Sequence, residues 1–171
     1  MGKGLPRSLS GAKGKNALKV MHVPLAGVMS VSATSTAVGF GTKVIGDFPE
    51  GNILFLGAVA NVKFTAPDTT PLIAAFAGDY SIGTVPTGDT DLADSGEANI
   101  VGSTEILADT SVTPLHRGSG STLAIFDNTD GSLELNLNVL IDASSIADDG
   151  TEAALAISGD AWIAYAVLGD D

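Results

Sequence analysis

Apolar and polar residues alternate along most of the chain after residue 22, and this period of two predicts β-strands. The clearest stretch is SLELNLNVLIDA at 132–143, where one face carries only aliphatic residues and the other carries acids and asparagines, interrupted by Leu140. This pattern predicts a half-buried strand. The preceding stretch STLAIFD at 121–127 and the turn residues NTDG at 128–131 add the signature of a β-hairpin.

A second stretch, NILFLGAVANVKFT at 52–65, carries apolar residues on both faces. The even-numbered positions from Leu54 to Phe64 are all apolar, whereas the odd-numbered face is apolar as far as Val59 and then becomes polar. We expect one end of this strand to be covered on both sides, either inside a sandwich or beneath another subunit.

The remaining segments also favour strands separated by turns. Residues 23–33, 36–48 and 99–107 are predicted strands, and the uncharged part of the first two is too polar to span a membrane. The closing stretch 152–168 is a further strand, in which Trp162 is expected in the core or at an interface. About eight short strands predict an all-β domain over residues 23–171, an antiparallel β-sandwich that resembles a jelly roll.

Two segments are less regular. LIAAFAGDYSIGTVP at 72–86 is compatible with a helical turn followed by a strand, and the glycine and β-branched residues favour the strand. TGDTDLADSGEA at 87–98 is predicted to be an exposed acidic loop.

Charge is distributed unevenly along the 171 residues. Residues 1–46 hold six Lys or Arg and no acid, whereas residues 47–171 hold two Lys or Arg and twenty acids. The asymmetry predicts an extended basic N-terminal arm over residues 1–22 and an acidic body that repels nucleic acid and anionic membranes. The arm allows three interpretations, a disordered tail, a nucleic-acid arm or a strap on a partner protein, and the acidic body favours the strap. Its candidate partner-binding residues are Lys3, Arg7, Lys13, Lys15 and Lys19.

Candidate catalytic chemistry is sparse. The chain has no cysteine and two histidines, His22 and His116. His116, Ser119 and either Asp109 or Asp127 have the residue types of a catalytic triad, but they lie in a Gly/Ser-rich stretch without a nucleophile elbow. A solvated turn is the favoured interpretation, and we expect neither an enzyme nor a cofactor.

Two acidic segments have the residue types of a calcium site. DNTDG at 127–131 lacks the spacing and the final Glu of a calcium loop, which favours a turn. The other segment is the acidic loop, for which an exposed loop is favoured over a cation site, and no metal ligand is assigned. Its acids are Asp89, Asp91, Asp94 and Glu97.

The order of segments resembles the small β-rich capsid decoration, or cement, proteins of tailed bacteriophages. The resemblance covers residues 37–169 and is carried by three stretches after the basic arm: AVGFGTKVIGDFPEGNILFLGAVANVKF, GDYSIGTVPTGDTDLADSGEANIVGST and TLAIFDNTDGSLELNLNVLIDASSIADDGTEAALAISGDAWIAYAVLGD.

The resemblance implies a virion protein on the outer capsid surface that bridges major capsid proteins and stabilises the mature head. It also implies a homo-oligomer, with a trimer favoured, and arms that run over the shell. The alternatives are another virion component, such as a tail or head-fibre protein, and a carbohydrate- or calcium-binding β-sandwich.

Overall fold

The computed structural model describes residues 18–34, 36–67, 71–92, 96–107, 116–147, 150 and 152–168. The described residues form strands joined by turns, with one short 3₁₀ turn at Ala143–Ser145. The strands are β1 (Lys19–Ser32), β2 (Gly39–Asp47), β3 (Ile53–Thr65), β4 (Gly78–Gly83), β5 (Val101–Ile106), β6 (His116–Gly120), β7 (Ala124–Phe126), β8 (Glu134–Ile141) and β9 (Glu152–Val167).

The strands form two antiparallel sheets that pack face to face. Sheet I has the order β1-β9-β3-β6, with the short β7 also paired to β3, and sheet II has the order β2-β8-β4-β5. The first half of the chain pairs with the second half in reverse order, because β1 pairs with β9, β2 with β8, β3 with β6, and β4 with β5. This is the strand order of a jelly roll. The prediction of an antiparallel, jelly-roll-like sandwich is therefore confirmed.

The core lies between the sheets and is made from one face of each long strand. Phe55, Tyr80 and Leu137 are among its largest fully buried side chains. The free edge of β1 turns towards β2 near Ser30 and Ser32, where a Cβ on Gly39 or Gly41 would overlap a β1 carbonyl oxygen. Lys43 closes the same corner, since its Nζ donates to the carbonyl of Val28 at 3.1 Å.

A bulge in β3 reverses which of its side chains face the core. The register with β9 shifts between Phe55 and Gly57, and Gly57 has φ of +154°. As a result, Ile53 and Phe55 point inwards before the bulge, whereas Ala58 and the even-numbered residues after it point inwards. The bulge therefore explains why the inward-facing residues change from odd to even numbers along β3, whereas Leu54 and Leu56 lie half-buried on its outer face.

The predicted hairpin over residues 121–143 is wrong. β7 pairs with β3 in sheet I, whereas β8 pairs with β2 and β4 in sheet II, so the turn between them crosses from one sheet to the other. The buried Asn128 holds this crossing, because its Nδ2 donates to the carbonyls of Phe48 and Pro49 and its Oδ1 accepts from the amide of Leu133. The alternating pattern predicted the two strands correctly, but it did not indicate which strands they pair with.

The prediction that β8 is half-buried is also wrong. Its second face, which carries Asn136, Asn138 and Leu140, is buried as well. The polar segment after β4 covers this face, and its main chain bonds to Asn138.

The body of the protein begins earlier than predicted. Lys19 to His22, which the sequence assigned to the arm, lie in β1 and pair with Tyr165 to Trp162 of β9. The rest of the proposed arm, residues 1–17, lies outside the described residues.

Candidate functional site

Lys19 is the one candidate partner-binding residue of the predicted arm that the structure describes. It is exposed at the start of β1, opposite Tyr165 of β9. The other four candidates, Lys3, Arg7, Lys13 and Lys15, lie outside the described residues.

The structure does not assemble the triad residues. His116 begins β6 with its side chain buried, and its ring lies 6.2 Å from the ring of Phe64. Ser119 lies three positions later, so it points to the opposite, exposed face of the strand. Asp127 is engaged in its own turn, and Asp109 falls outside the described residues. Burial lowers the pKa of His116, which keeps the imidazole neutral, and this suits a packing role.

The acids of the DNTDG turn stabilise the turn itself. Asp127 Oδ1 accepts from the amide and hydroxyl of Thr129 at 3.1 and 2.8 Å, and Asp130 Oδ1 accepts from those of Ser132 at 3.0 and 2.7 Å. These hydrogen bonds to the ionised form lower the pKa of both carboxyl groups. Among the described residues, no group of three or more His, Asp or Glu side chains gathers where it could hold a metal ion.

The outer face of sheet I carries exposed apolar side chains around a groove. The groove runs across β1, β9, β3 and β6, over Ala164 and Gly57, and is bordered by Val20, Val59 and Trp162. The small residues of its floor let a partner surface approach the sheet closely. We call this surface the apolar face and define it by the side chains that border the groove and by two exposed residues of the same sheet, Leu18 directly before β1 and Ile125 on β7. Its residues are Leu18, Val20, Val59, Ile125 and Trp162.

Exposure of these side chains is high for aliphatic residues. Leu18, Val20 and Ile125 are each more than 60% exposed, and Val59 is 44% exposed. Scattered apolar residues are normal on a protein surface, but a contiguous patch around a groove is typical of an interaction site.

A polar cluster flanks the apolar face. His22 Nε2 lies 2.6 Å from Asp160 Oδ1, and the His22 ring stacks on Trp162 with centroids 5.3 Å apart. These contacts hold the indole against the sheet beside the groove. Trp162 therefore lies on the outer surface of sheet I and not in the core, and its place at an interface stays a prediction.

The apolar face belongs to the least acidic part of the described molecule. The strands of sheet I carry three basic residues, Lys19, Lys63 and Arg117, and two acids, Glu152 and Asp160. The strands of sheet II carry one basic residue, Lys43, and four acids, Asp47, Asp79, Glu105 and Glu134. An approaching acidic or neutral protein surface would meet less repulsion at sheet I than at sheet II.

The sequence indicated only part of the apolar face, since one end of the 52–65 strand was expected to be covered on both sides, inside a sandwich or beneath another subunit. Its signal was present in the two-sided apolar pattern of residues 53–59, but the direction of each side chain depended on the bulge at Gly57. Val20 was hidden for another reason, since it fell inside the predicted arm.

Comparison with known proteins adds no assignment. No protein-family model, no curated protein and no solved structure matches the chain. Across the described ranges, no helix has the length and apolar composition needed to cross a bilayer.

Proposed function

We propose that the protein is a capsid decoration protein, which binds the outer capsid lattice of a tailed bacteriophage and stabilises the mature head by bridging major capsid proteins. The observation that carries the proposal is the apolar face, a set of exposed apolar side chains around a groove on the less acidic of the two sheets of a strongly acidic molecule. Such a surface supports a binding role, and the resemblance in segment order supports the class of partner.

The fold is compatible with this role. Jelly rolls recur in viral capsid domains, although they also occur in lectins and cupins, so the fold alone does not select a function. The chemistry of the described residues favours assembly over catalysis, because the candidate triad residues point to different faces of β6.

The capsid shell is the occupant that we assign to the apolar face. The described chain begins at Leu18, on this face, and the 17 residues before it carry four basic residues and no acid. The face and the adjoining basic segment together favour a partner surface that is apolar in its centre and acidic at its rim. Copies of this chain would bridge neighbouring capsid subunits, and the resemblance favours trimers on the shell.

Bridging would stabilise the shell by mass action, because a ligand that binds only the intact lattice shifts the equilibrium away from rupture. The test uses heads of the encoding phage prepared without this protein. We expect purified protein to bind them in a saturable, fixed ratio to the major capsid protein and to raise the temperature at which they release DNA. Absence of binding to such heads would refute the proposal.

A further inference from the structure

The segment between β4 and β5 lies on the outer face of sheet II, where Asn138 makes three hydrogen bonds to its main chain. Asn138 Nδ2 donates to the carbonyls of Val85 and Glu97 at 3.0 and 2.8 Å, and its Oδ1 accepts from the amide of Thr87 at 2.9 Å. We call residues 84–92 and 96–99 the covering segment. Its described parts explain why the outer face of β8 is buried.

Glu97 lies directly against β4. A Cβ on Gly83 would overlap the carbonyl oxygens of Gly96 and Glu97, so the covering segment touches the sheet at this glycine. Ser81 Oγ also donates to the carbonyl of Glu97, at 2.7 Å. These contacts place the main chain of Glu97 over Gly83, on the outer face of sheet II.

Asn136 lies next to Gly83, on the neighbouring strand β8. It pairs with Gly83 across the β8–β4 ladder, and it lies two residues before Asn138, so its side chain points towards the same outer face. Same-face neighbours on paired strands have Cβ positions about 5 Å apart. Asn136 therefore lies near the main chain of Glu97, beneath the covering segment.

Three polar atoms of these two side chains are buried without a hydrogen-bond partner. They are Glu97 Oε2, Asn136 Oδ1 and Asn136 Nδ2, in residues that are 3% and 1% exposed, respectively. Buried polar groups in folded proteins are almost always hydrogen-bonded, and unpartnered ones often mark a bound water molecule or ion. A buried carboxylate needs a partner more than a buried amide does, because a buried charge is normally paired with an opposite charge or coordinated to a metal.

The protein supplies no described cation to Glu97. Lys43 Nζ bonds to the carbonyl of Val28 at the β1–β2 corner, and Arg117 Nε bonds to Asn61 Oδ1 on sheet I. Lys19 and Lys63 also belong to sheet I, in the other layer of the sandwich.

The covering segment contains two further acids. Asp89 and Asp91 lie in the same covering segment, and their carbonyls accept from Thr87 Oγ1 at 3.4 and 3.3 Å. Thr87 is itself bonded to Asn138, two residues along β8 from Asn136. A bridging water molecule would satisfy the hydrogen bonds but would leave the carboxylate charge uncompensated. A cation would compensate the charge and would be coordinated by Glu97 Oε2 and Asn136 Oδ1, while a water molecule on the cation would accept from Asn136 Nδ2.

We propose that Glu97 and Asn136 bind a hard metal cation of the calcium class beneath the covering segment. Calcium accepts carboxylate, amide and main-chain carbonyl oxygens together with water, so a site with one buried carboxylate suits it. The low ligand charge places the affinity in the weak range, with a Kd of roughly 0.1–1 mM. The cation would tie the covering segment to β8 and β4. This proposal is independent of capsid binding.

The test measures thermal unfolding of the full chain in EDTA and in CaCl₂ up to 10 mM, with KCl controls of equal ionic strength. At calcium tenfold above Kd we expect Tm to rise by about 3–6 °C. Glu97→Gln should abolish the rise because it removes the charge and keeps the shape. Asp130→Asn removes one charge from the turn at 127–131 and should leave the rise unchanged.

Equilibrium dialysis with calcium supplies a second readout that does not depend on unfolding. Asn136→Ala should bind calcium at least tenfold more weakly than the wild type, and this variant serves if Glu97→Gln does not fold. The proposal is overturned if calcium gives the wild type no shift beyond the KCl control. A shift that persists in Glu97→Gln, or unchanged binding in Asn136→Ala, also overturns it.

Discussion

Two asparagines of β8 offer a matched test of what fixes the covering segment. Asn136 and Asn138 lie two residues apart on the same face and are 1% and 0% exposed, respectively. Asn138 hydrogen-bonds to Thr87, Val85, Glu97 and the hydroxyl of Thr42, whereas the side-chain atoms of Asn136 have no partner among the described residues. Replacing each asparagine by alanine removes the same atoms, so the difference isolates the hydrogen bonds.

The expected magnitudes follow from the groups left behind. Asn138→Ala leaves the amide of Thr87 and the carbonyl of Val85 without their described side-chain partner, while the carbonyl of Glu97 keeps Ser81 Oγ. Each buried group left unpaired costs about 1–3 kcal/mol, so we expect a loss of roughly 3–5 kcal/mol. Asn136→Ala loses only packing and removes unpaired groups, so its cost should stay below about 1.5 kcal/mol.

Urea unfolding in EDTA, followed by circular dichroism, gives both free energies of unfolding without a contribution from bound cation. For a domain of this size, the difference of about 1.5–5 kcal/mol corresponds to a Tm roughly 3–20 °C lower for Asn138→Ala than for Asn136→Ala. Equal destabilisation of the two variants would refute the argument that Asn138 fixes the covering segment. A larger loss for Asn136→Ala would show that its amide has partners in the folded protein.

Two further predictions concern β6. Burial lowers the pKa of His116 in the folded state below the unfolded value of 6.5, so its contribution to stability is complete above pH 6.5 and is lost as the pH falls below it. Tm measured from pH 8 to 5 should therefore decline below pH 6.5, less steeply in His116→Gln, and identical profiles would contradict this reasoning. Gly118→Ala should lower the free energy of unfolding measured in urea by about 2–3 kcal/mol. Its Cβ would lie 2.5 Å from the Val101 side chain and 2.7 Å from the Tyr80 hydroxyl. An unchanged free energy of unfolding would show that these two side chains move aside.

The fold was largely predictable because strand signals are local. The period-two pattern identified the long strands, and the turn residues separated them. The pairing of strands depends on residues that are distant in the sequence. The 121–143 segment has the signature of a hairpin, yet the chain crosses there from one sheet to the other. The deciding interactions come from Asn128, which bonds to Phe48 and Pro49 about eighty residues away.

The candidate surfaces were less predictable for related reasons. Polar residues on β8 suggested solvent exposure, but Asn138 instead bonds the main chain of a distant segment. The apolar face became visible only once the bulge at Gly57 had fixed the direction of Val59. A single-residue bulge inverts the side-chain pattern of a strand, and the sequence does not mark which glycine forms it.

The central claim, that the apolar face binds the capsid shell, is tested most directly by sedimentation of Val59→Glu with heads prepared without this protein. Val59 is 44% exposed, so the glutamate is tolerated in the free protein but would become a buried, unpaired charge at the interface. The loss of about 3 kcal/mol or more corresponds to binding weaker by at least 100-fold.

Val44→Glu is the matched control, since Val44 is 49% exposed and lies on β2 of the opposite sheet. Both variants should retain the unfolding profile of the wild type. The account predicts that wild type and Val44→Glu saturate the heads while Val59→Glu stays in the supernatant. Wild-type occupancy by Val59→Glu would contradict the assignment of this face, and failure of the wild type to bind would contradict the proposed function itself.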